Sequence, residues 1–182
     1  MPTHSSSRRI LSVATAGVIA ALYVVLTYPF AQFAYGPIQF RLAEIMVVLA
    51  ILTPAAIPGL TVGCLLANLM NPSGLGLVDV VFGSLATLIA AVLTRRIAVR
   101  ASRLPQTPRD LLSLIPPVLV NALIVGTYLP FLLTQGPVTI PAVLISIAYL
   151  AASETLVVYL LGFPFLTVLR RTGVQKIWEE RQ

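Results

Sequence analysis

The chain has 182 residues, of which 58% are hydrophobic and only 10% charged, against about a quarter charged in ordinary soluble domains. With a mean hydropathy of +0.95, those values exclude a soluble globular domain, a disordered tail and a collagen-like fibre. Most of the chain must have lipid as its solvent, and the length allows one compact membrane domain. The one cysteine, Cys64, excludes a disulfide framework and a cysteine-based zinc site, and it reads as a small buried apolar residue. The one histidine, His4, lies in the N-terminal tail, which removes His-dependent catalysis and a di-histidine metal site. The one lysine is Lys176 and no Gly-x-x-x-x-Gly-Lys loop exists, so the chain does not cradle and hydrolyse ATP by itself. No enzymatic activity, cofactor or metal is expected.

A spanning helix needs about 20 mostly apolar residues. The first candidate, 10–28, follows Arg8 and Arg9 and stops at Pro29. A signal peptide is the competing reading, but no small-x-small cleavage site follows, so the segment is expected to stay attached. Small residues recur in it at helical spacing, with Ala16 and Ala20 on one face and Gly17 and Ala21 beside it, a pattern that lets helix backbones approach closely. A long apolar region follows, broken by Thr53-Pro54-Ala55-Ala56-Ile57-Pro58-Gly59 into two short helices, 38–52 and 57–70. Further spans are predicted at 77–94, 111–133 and 141–169, the last long enough to tilt or protrude. The loop 95–110 and the tail 170–182 are polar, and Trp178 in the tail is a candidate interfacial anchor.

Basic residues fix the orientation. Arg8 and Arg9, the loop residues Arg95, Arg96, Arg100, Arg103 and Arg109, and the tail residues Arg170, Arg171, Lys176 and Arg181 are all cytoplasmic if six helices cross and both termini lie inside. Only Arg41 stands apart. The sequence pI of about 10.1 is then a topology signal, and nucleic acid is not an expected partner. A re-entrant hairpin over 38–70 would leave the parity unchanged, so the charge rule does not separate four crossings from six.

Four charged residues fall inside or at the edge of the apolar segments: Arg41, Glu44, Asp79 and Glu154. Each costs at least about 2.5 kcal/mol at a helix centre, and such residues face a bundle interior or a wet cavity. From a rise of about 1.5 Å per residue, Arg41, Glu44 and Asp79 fall near the outer ends of their helices. Asn68 falls there too, with Gln39 leading in. Glu154 lies deeper, with Asn121 at a similar level and Tyr149 above it, placed for a stacking or hydroxyl contact with a ligand. Arg41 and Glu44, three apart, share a helix face. The polar groups converge on the outer half while the inner half is nearly pure Leu, Val, Ile and Ala, which points to a pocket open to the outside rather than a channel. Blander readings stand beside this one: Arg41 snorkelling to headgroups or pairing locally with Glu44, Asp79 capping its helix, Asn121 clamping two helices. Tyr28, Phe30, Phe33, Tyr35, Phe40, Tyr128 and Phe131 read as an interfacial aromatic belt, a few of them as pocket lining.

The stretch Gly36-Pro37-Ile38-Gln39-Phe40-Arg41-Leu42-Ala43-Glu44 resembles the queuosine-precursor transporter (QueT) family, substrate-binding S components of energy-coupling factor (ECF) transporters. The likeness continues in Ala56-Ile57-Pro58-Gly59-Leu60-Thr61-Val62-Gly63-Cys64, Leu66-Ala67-Asn68-Leu69, Asp79-Val80-Val81-Phe82-Gly83-Ser84-Leu85-Ala86-Thr87, Asn121-Ala122, and Glu154 followed by Leu161-Gly162-Phe163-Pro164. It covers about residues 8–170. Where the family often has Gly before the late glutamate, this chain has Ser153. The resemblance implies an all-α integral membrane protein of six transmembrane helices in a prokaryotic plasma membrane, with the ligand pocket in the extracellular half. It also implies a scaffold membrane subunit and two cytosolic ATPases as partners, with Ala16 and Ala20 docking the scaffold. The substrate it implies is a 7-deazaguanine precursor of queuosine, pre-queuosine or queuine. The residue chemistry agrees: a carboxylate accepts two adjacent N–H donors of a guanine-type ring, a second carboxylate pairs with an aminomethyl cation, and Arg41 or an Asn meets the ring carbonyl. Which acid reads which edge stays open. The alternatives are an S component for another flat vitamin or nucleobase, and a stand-alone small secondary transporter.

Overall fold

The computed structural model describes residues 4–35, 39–71 and 74–173. Gly36, Pro37 and Ile38 of the first motif, the side chain of His4, and the tail residues Lys176, Trp178 and Arg181 lie outside the described residues. Every described regular element is helical. Helix α1 (His4–Thr27) is stopped at Pro29 by a 3-10 turn, Tyr28–Phe30, and a one-turn helix, Ala31–Ala34. Helix α2 (Leu42–Leu52) begins as a 3-10 helix over Leu42–Val48. Helices α3 (Ala56–Leu69), α4 (Gly76–Arg100), α5 (Gln106–Leu133) and α6 (Ile140–Arg171) follow. Four helical stretches, Arg8–Phe30, α4, α5 and α6, are long and apolar enough to cross a membrane, whereas α2 and α3 are shorter apolar helices.

Local chemistry explains the breaks. The turn between α2 and α3 is confined to Thr53-Pro54-Ala55, where the Thr53 side chain accepts a hydrogen bond from the Ala55 N–H. Pro58 and Gly59, expected to belong to that break, lie inside α3. Pro58 sits in the first turn, where a missing N–H costs nothing, and Gly59 is needed for packing. A Cβ at Gly59 would lie 2.8 Å from the Ala16 carbonyl oxygen, and one at Gly63 would lie 2.6 Å from the Tyr23 Cβ. The small face of α1 and the Gly59-x-x-x-Gly63 face of α3 therefore press backbone to backbone, the small-x-x-x-small contact of membrane helices.

The arginines after α4 do not mark its end. The helix runs on to Arg100, and Arg95 Nη1 donates to the Ile51 carbonyl at 2.8 Å, capping α2. Asp110 at the start of α5 accepts from Arg170 at the end of α6 at 2.9 Å, with Arg109 at 3.6 Å. Arg8 and Arg9 share a surface cavity of about 270 Å³ with the Thr53-Pro54-Ala55 turn. One end of the bundle thus collects the basic residues. A large apolar cluster, built mainly on α1, α2 and α3, runs from Ala98 and Leu166 at that end up to Tyr23 and Cys64. A smaller one gathers around Ala34, Tyr35, Leu129 and Leu150. The outer surface carries bare aliphatic side chains such as Val13, Leu77 and Ile140, a surface suited to lipid.

Candidate functional site

Seven of the charged and amide residues singled out in the sequence are buried: Gln39, Arg41, Glu44, Asn68, Asp79, Asn121 and Glu154. They come from α2 and the segment before it, α3, α4, α5 and α6, and several separate sets of contacts hold them. Tyr23, fully buried on α1, donates its hydroxyl to Glu44 Oε1 at 2.6 Å. Arg41 stands one residue before the 3-10 turn that carries Glu44. It reaches the other way, with Nη1 3.5 Å from Cys64 Sγ and its guanidinium 5.4 Å over the Tyr35 ring. Asn68 Nδ2 donates to the Asp79 carbonyl at 3.1 Å and lies 3.6 Å from Cys64 Sγ. Tyr128 donates to Asp79 Oδ1 at 2.7 Å, and Asn121 Nδ2 to Glu154 Oε1 at 3.0 Å.

The bland readings of these charges do not describe the geometry. Arg41 is 5% exposed, so its head is not at a lipid surface. The ion pairs among the described residues are those of Arg109 and Arg170 with Asp110, so Arg41 and Glu44 form no local pair. Asp79 is 1% exposed and bonded across to α5, which is more than a helix cap requires.

Local backbone supports the convergence. Helix α4 widens into a π-helix at Asp79–Gly83, and α6 does so at Leu156–Gly162, two residues past Glu154. Such widened turns cluster at functional sites because they turn a side chain out of the regular helical phase. A Cβ at Gly83 would lie 2.7 Å from Asn68 Nδ2 and 3.3 Å from the Tyr128 hydroxyl, so glycine here lets both side chains approach Asp79 undisplaced. Gln39 has φ +45°, the left-handed region that a non-glycine residue adopts only when its surroundings hold it there. Two contacts hold that segment: Ser153 Oγ donates to the Gln39 carbonyl at 3.2 Å, and the Tyr35 hydroxyl donates to the Ala67 carbonyl at 2.5 Å. Ser153 thus ties the Gln39 segment to α6.

Six buried side-chain atoms of this cluster have no partner among the described residues: Gln39 Nε2, Arg41 Nε and Nη2, Asn68 Oδ1, Asp79 Oδ2 and Glu154 Oε2. Leaving a buried polar group unpaired costs about 1–3 kcal/mol, and more for a charged one. These three donors and three acceptors are the unpartnered atoms of this buried polar cluster, the cage of the bundle.

The QueT transporter family matches the chain over residues 13–171. The chain belongs to the QueT transporter family. A similar protein is the queuosine precursor transporter QueT of Lactococcus lactis subsp. cremoris (strain MG1363), 37% identical over 79 residues. That match spans 42% of this chain and 45% of the relative, less than half of its length. No solved structure matches.

Other predicted residues of this QueT-family chain fall outside the cage. Tyr149 is 53% exposed and lines, with Ser146, Leu129 and Pro130, a surface groove of about 430 Å³ between α5 and α6. Ala16 is half-buried and Ala20 buried, because their face is covered by Gly59 and Gly63 of α3. Gly17 and Ala21 are exposed instead. Among the aromatics, Tyr28, Phe30 and Phe131 are exposed as a belt would be, whereas Tyr35 is buried under Arg41. The sequence reading missed Tyr23 altogether, and it took Cys64 for plain apolar filling. A tyrosine in a helix otherwise lined with Ala, Gly and Val was the available signal, since a buried phenol needs an acceptor.

Proposed function

We propose that this chain is the substrate-binding S component of an ECF-type importer in a prokaryotic plasma membrane, taking up a 7-deazaguanine precursor of queuosine. The observation that carries the reading is the cage of six unpartnered polar atoms within an apolar bundle of a QueT-family chain. Glu154 Oε2 accepts N–H donors of the guanine-type edge, and Gln39 or Arg41 donates to the ring carbonyl. The name of the Lactococcus relative supports the same substrate class.

The basic end of the bundle is assigned to the cytoplasm by the positive-inside rule, with six crossings and both termini inside. The cage lies at the far end of α2 from the Arg95-capped Ile51, and so falls in the extracellular half. Helices α2 and α3 are the shorter apolar helices, and they serve as the inner frame of the cage. Scaffold and ATPase subunits supply the energy, in keeping with the missing nucleotide loop. Since α3 already covers Ala16 and Ala20, the scaffold docks on the exposed Gly17 and Ala21 side of α1.

Calorimetric titration of the purified chain with a 7-deazaguanine precursor tests the reading. Tight binding that weakens in Glu154→Gln is expected, and binding unchanged by that substitution would remove Glu154 from the site. Thiamine, biotin and riboflavin as competitors separate this substrate from other flat vitamins. Uptake by cells lacking scaffold and ATPases would replace the S-component role with that of a stand-alone transporter.

A further inference from the structure

We propose that the basic end of α1 carries a binding site for one anionic phospholipid: Arg8 and Arg9 hold its phosphate, and a groove between α1 and α6 takes an acyl chain. The site is separate from the cage and does not depend on which substrate the cage takes.

Sequence spacing builds the groove. Arg8, Leu11, Thr15, Val18, Leu22 and Val25 recur every three or four residues along α1, so they form one stripe on the helix. The stripe is polar at Arg8 and Thr15 and aliphatic from Val18 onward. It is not the face that α3 covers, which is Ala16, Ala20 and Tyr23, and Leu11, Val18, Leu22 and Val25 are all exposed. Across from it, Leu161, Phe165 and Leu169 stand at four-residue spacing on α6. Met46 and Leu49 of α2, both buried, make the floor.

Three cavities follow one another along the stripe. The first, of about 270 Å³, is bounded by Arg8, Arg9, Ser12 and the Thr53-Pro54-Ala55 turn. Leu11 and Thr15 line it and also line the second, of about 420 Å³. Leu22, Met46 and Phe165 line the second and also the third, of about 520 Å³. The second cavity runs along α1 from Leu11 to Leu22, about 17 Å at the helical rise. Half of a hydrocarbon core about 30 Å thick is about 15 Å, so the groove is as deep as one leaflet.

The two parts of the site call for different chemistry. The first cavity is lined, among the described residues, by two guanidinium groups and the hydroxyls of Ser12, Thr15 and Thr53, with no carboxylate. Guanidinium pairs with phosphate in a bidentate manner, and hydroxyls donate to phosphate or ester oxygens. The second cavity is apolar apart from Thr15. An anion joined to a hydrocarbon tail satisfies both parts. Free phosphate satisfies only the first, and a helix 10–12 Å across does not enter a cleft of the second's volume. Basic pockets between helices on the cytoplasmic side of a membrane bind anionic headgroups, and this pocket lies at the basic end of the bundle. A lipid seated there joins α1 to the α2–α3 turn and to α6.

The experiment measures lipid retention by the purified full chain in detergent, using native mass spectrometry. Dioleoylphosphatidylglycerol should be held as a single copy, about tenfold tighter than dioleoylphosphatidylcholine, which has the same tails and no net charge. Millimolar inorganic phosphate should not displace it. Arg8→Gln combined with Arg9→Gln should weaken phosphatidylglycerol about 10- to 30-fold and leave phosphatidylcholine within about twofold. Both arginines are exposed, and an unchanged helical circular dichroism signal shows that the variant is folded. Val18→Trp, which fills the groove from an exposed position, should weaken both lipids by the same factor. Equal retention of the two lipids by the unaltered chain, or phosphatidylglycerol binding untouched by the paired arginine substitution, would overturn the site and leave only an unselective lipid belt. Displacement by inorganic phosphate would overturn it in favour of an anion site with no tail. A photo-crosslinker at Val18 in native membranes should mark lipid, and a protein adduct there would overturn it in favour of a partner helix.

Discussion

The two ends of this bundle hold buried charge in opposite ways. At the basic end, Asp110 is met by Arg170 at 2.9 Å and Arg109 at 3.6 Å, and Arg95 is spent on the Ile51 carbonyl. At the cage end, Glu44, Asp79 and Glu154 are each held by one neutral donor, from Tyr23, Tyr128 and Asn121. Asp79 and Glu154 each keep one oxygen without a partner, and Arg41 keeps two nitrogens. Charge paired with charge fastens helix ends together. Charge steadied by a neutral neighbour keeps its direction and most of its attraction for something else. The first arrangement stabilises the fold, and the second gives up stability for recognition.

Isosteric changes at the two ends should therefore have opposite readouts. Asp110→Asn removes the acid from a buried pair and is expected to lower stability by about 3 kcal/mol, read by thermal unfolding in detergent, with ligand affinity within about twofold of the unaltered chain. Glu154→Gln keeps an acceptor for Asn121. It should leave the melting temperature unchanged or raised while lowering ligand affinity about 100-fold, near 2.7 kcal/mol. If the two substitutions gave the same pattern, the contrast would be lost. A third change tests whether helix packing and the cage are joined. Gly63→Val drives a side chain into the Tyr23 Cβ, from which Glu44 is held, so a stability loss of about 2 kcal/mol should come with weakened binding in the same titration. The smallest effect belongs to Gly83→Ala. Its Cβ meets the end of the Asn68 amide rather than backbone, so the amide shifts. Affinity should fall about fivefold, near 1 kcal/mol, with no change in unfolding beyond about 0.5 kcal/mol.

Much of the helical layout was legible because its signals are local. Pro29 and Thr53-Pro54 end the regular helices before them, and a carboxylate among Leu and Val is conspicuous at any depth. The rotational phase of each helix was not legible. The spans are apolar on all sides, so no stripe marks the inward face. That is why Ala16 and Ala20 read as a free docking face when α3 covers them, and why Tyr149 read as cage lining when it faces outward. Asp79 fits a helix cap in sequence, because nothing in Asp79-Val80-Val81-Phe82-Gly83 announces a π-helix. Tyr23 was missed for a related reason: its partner, Glu44, is 21 residues away, and only the tertiary fold brings them together.

Cys64 touches both Arg41 and Asn68 and has no exposed surface. Because it is the one thiol in the chain, a maleimide reagent can report on the interior without any engineered label. Alkylation requires the helices around it to part, so its rate measures how often they do. A bound guest should slow that rate, and slowing in step with occupancy would turn a native sulfur into a clock for opening.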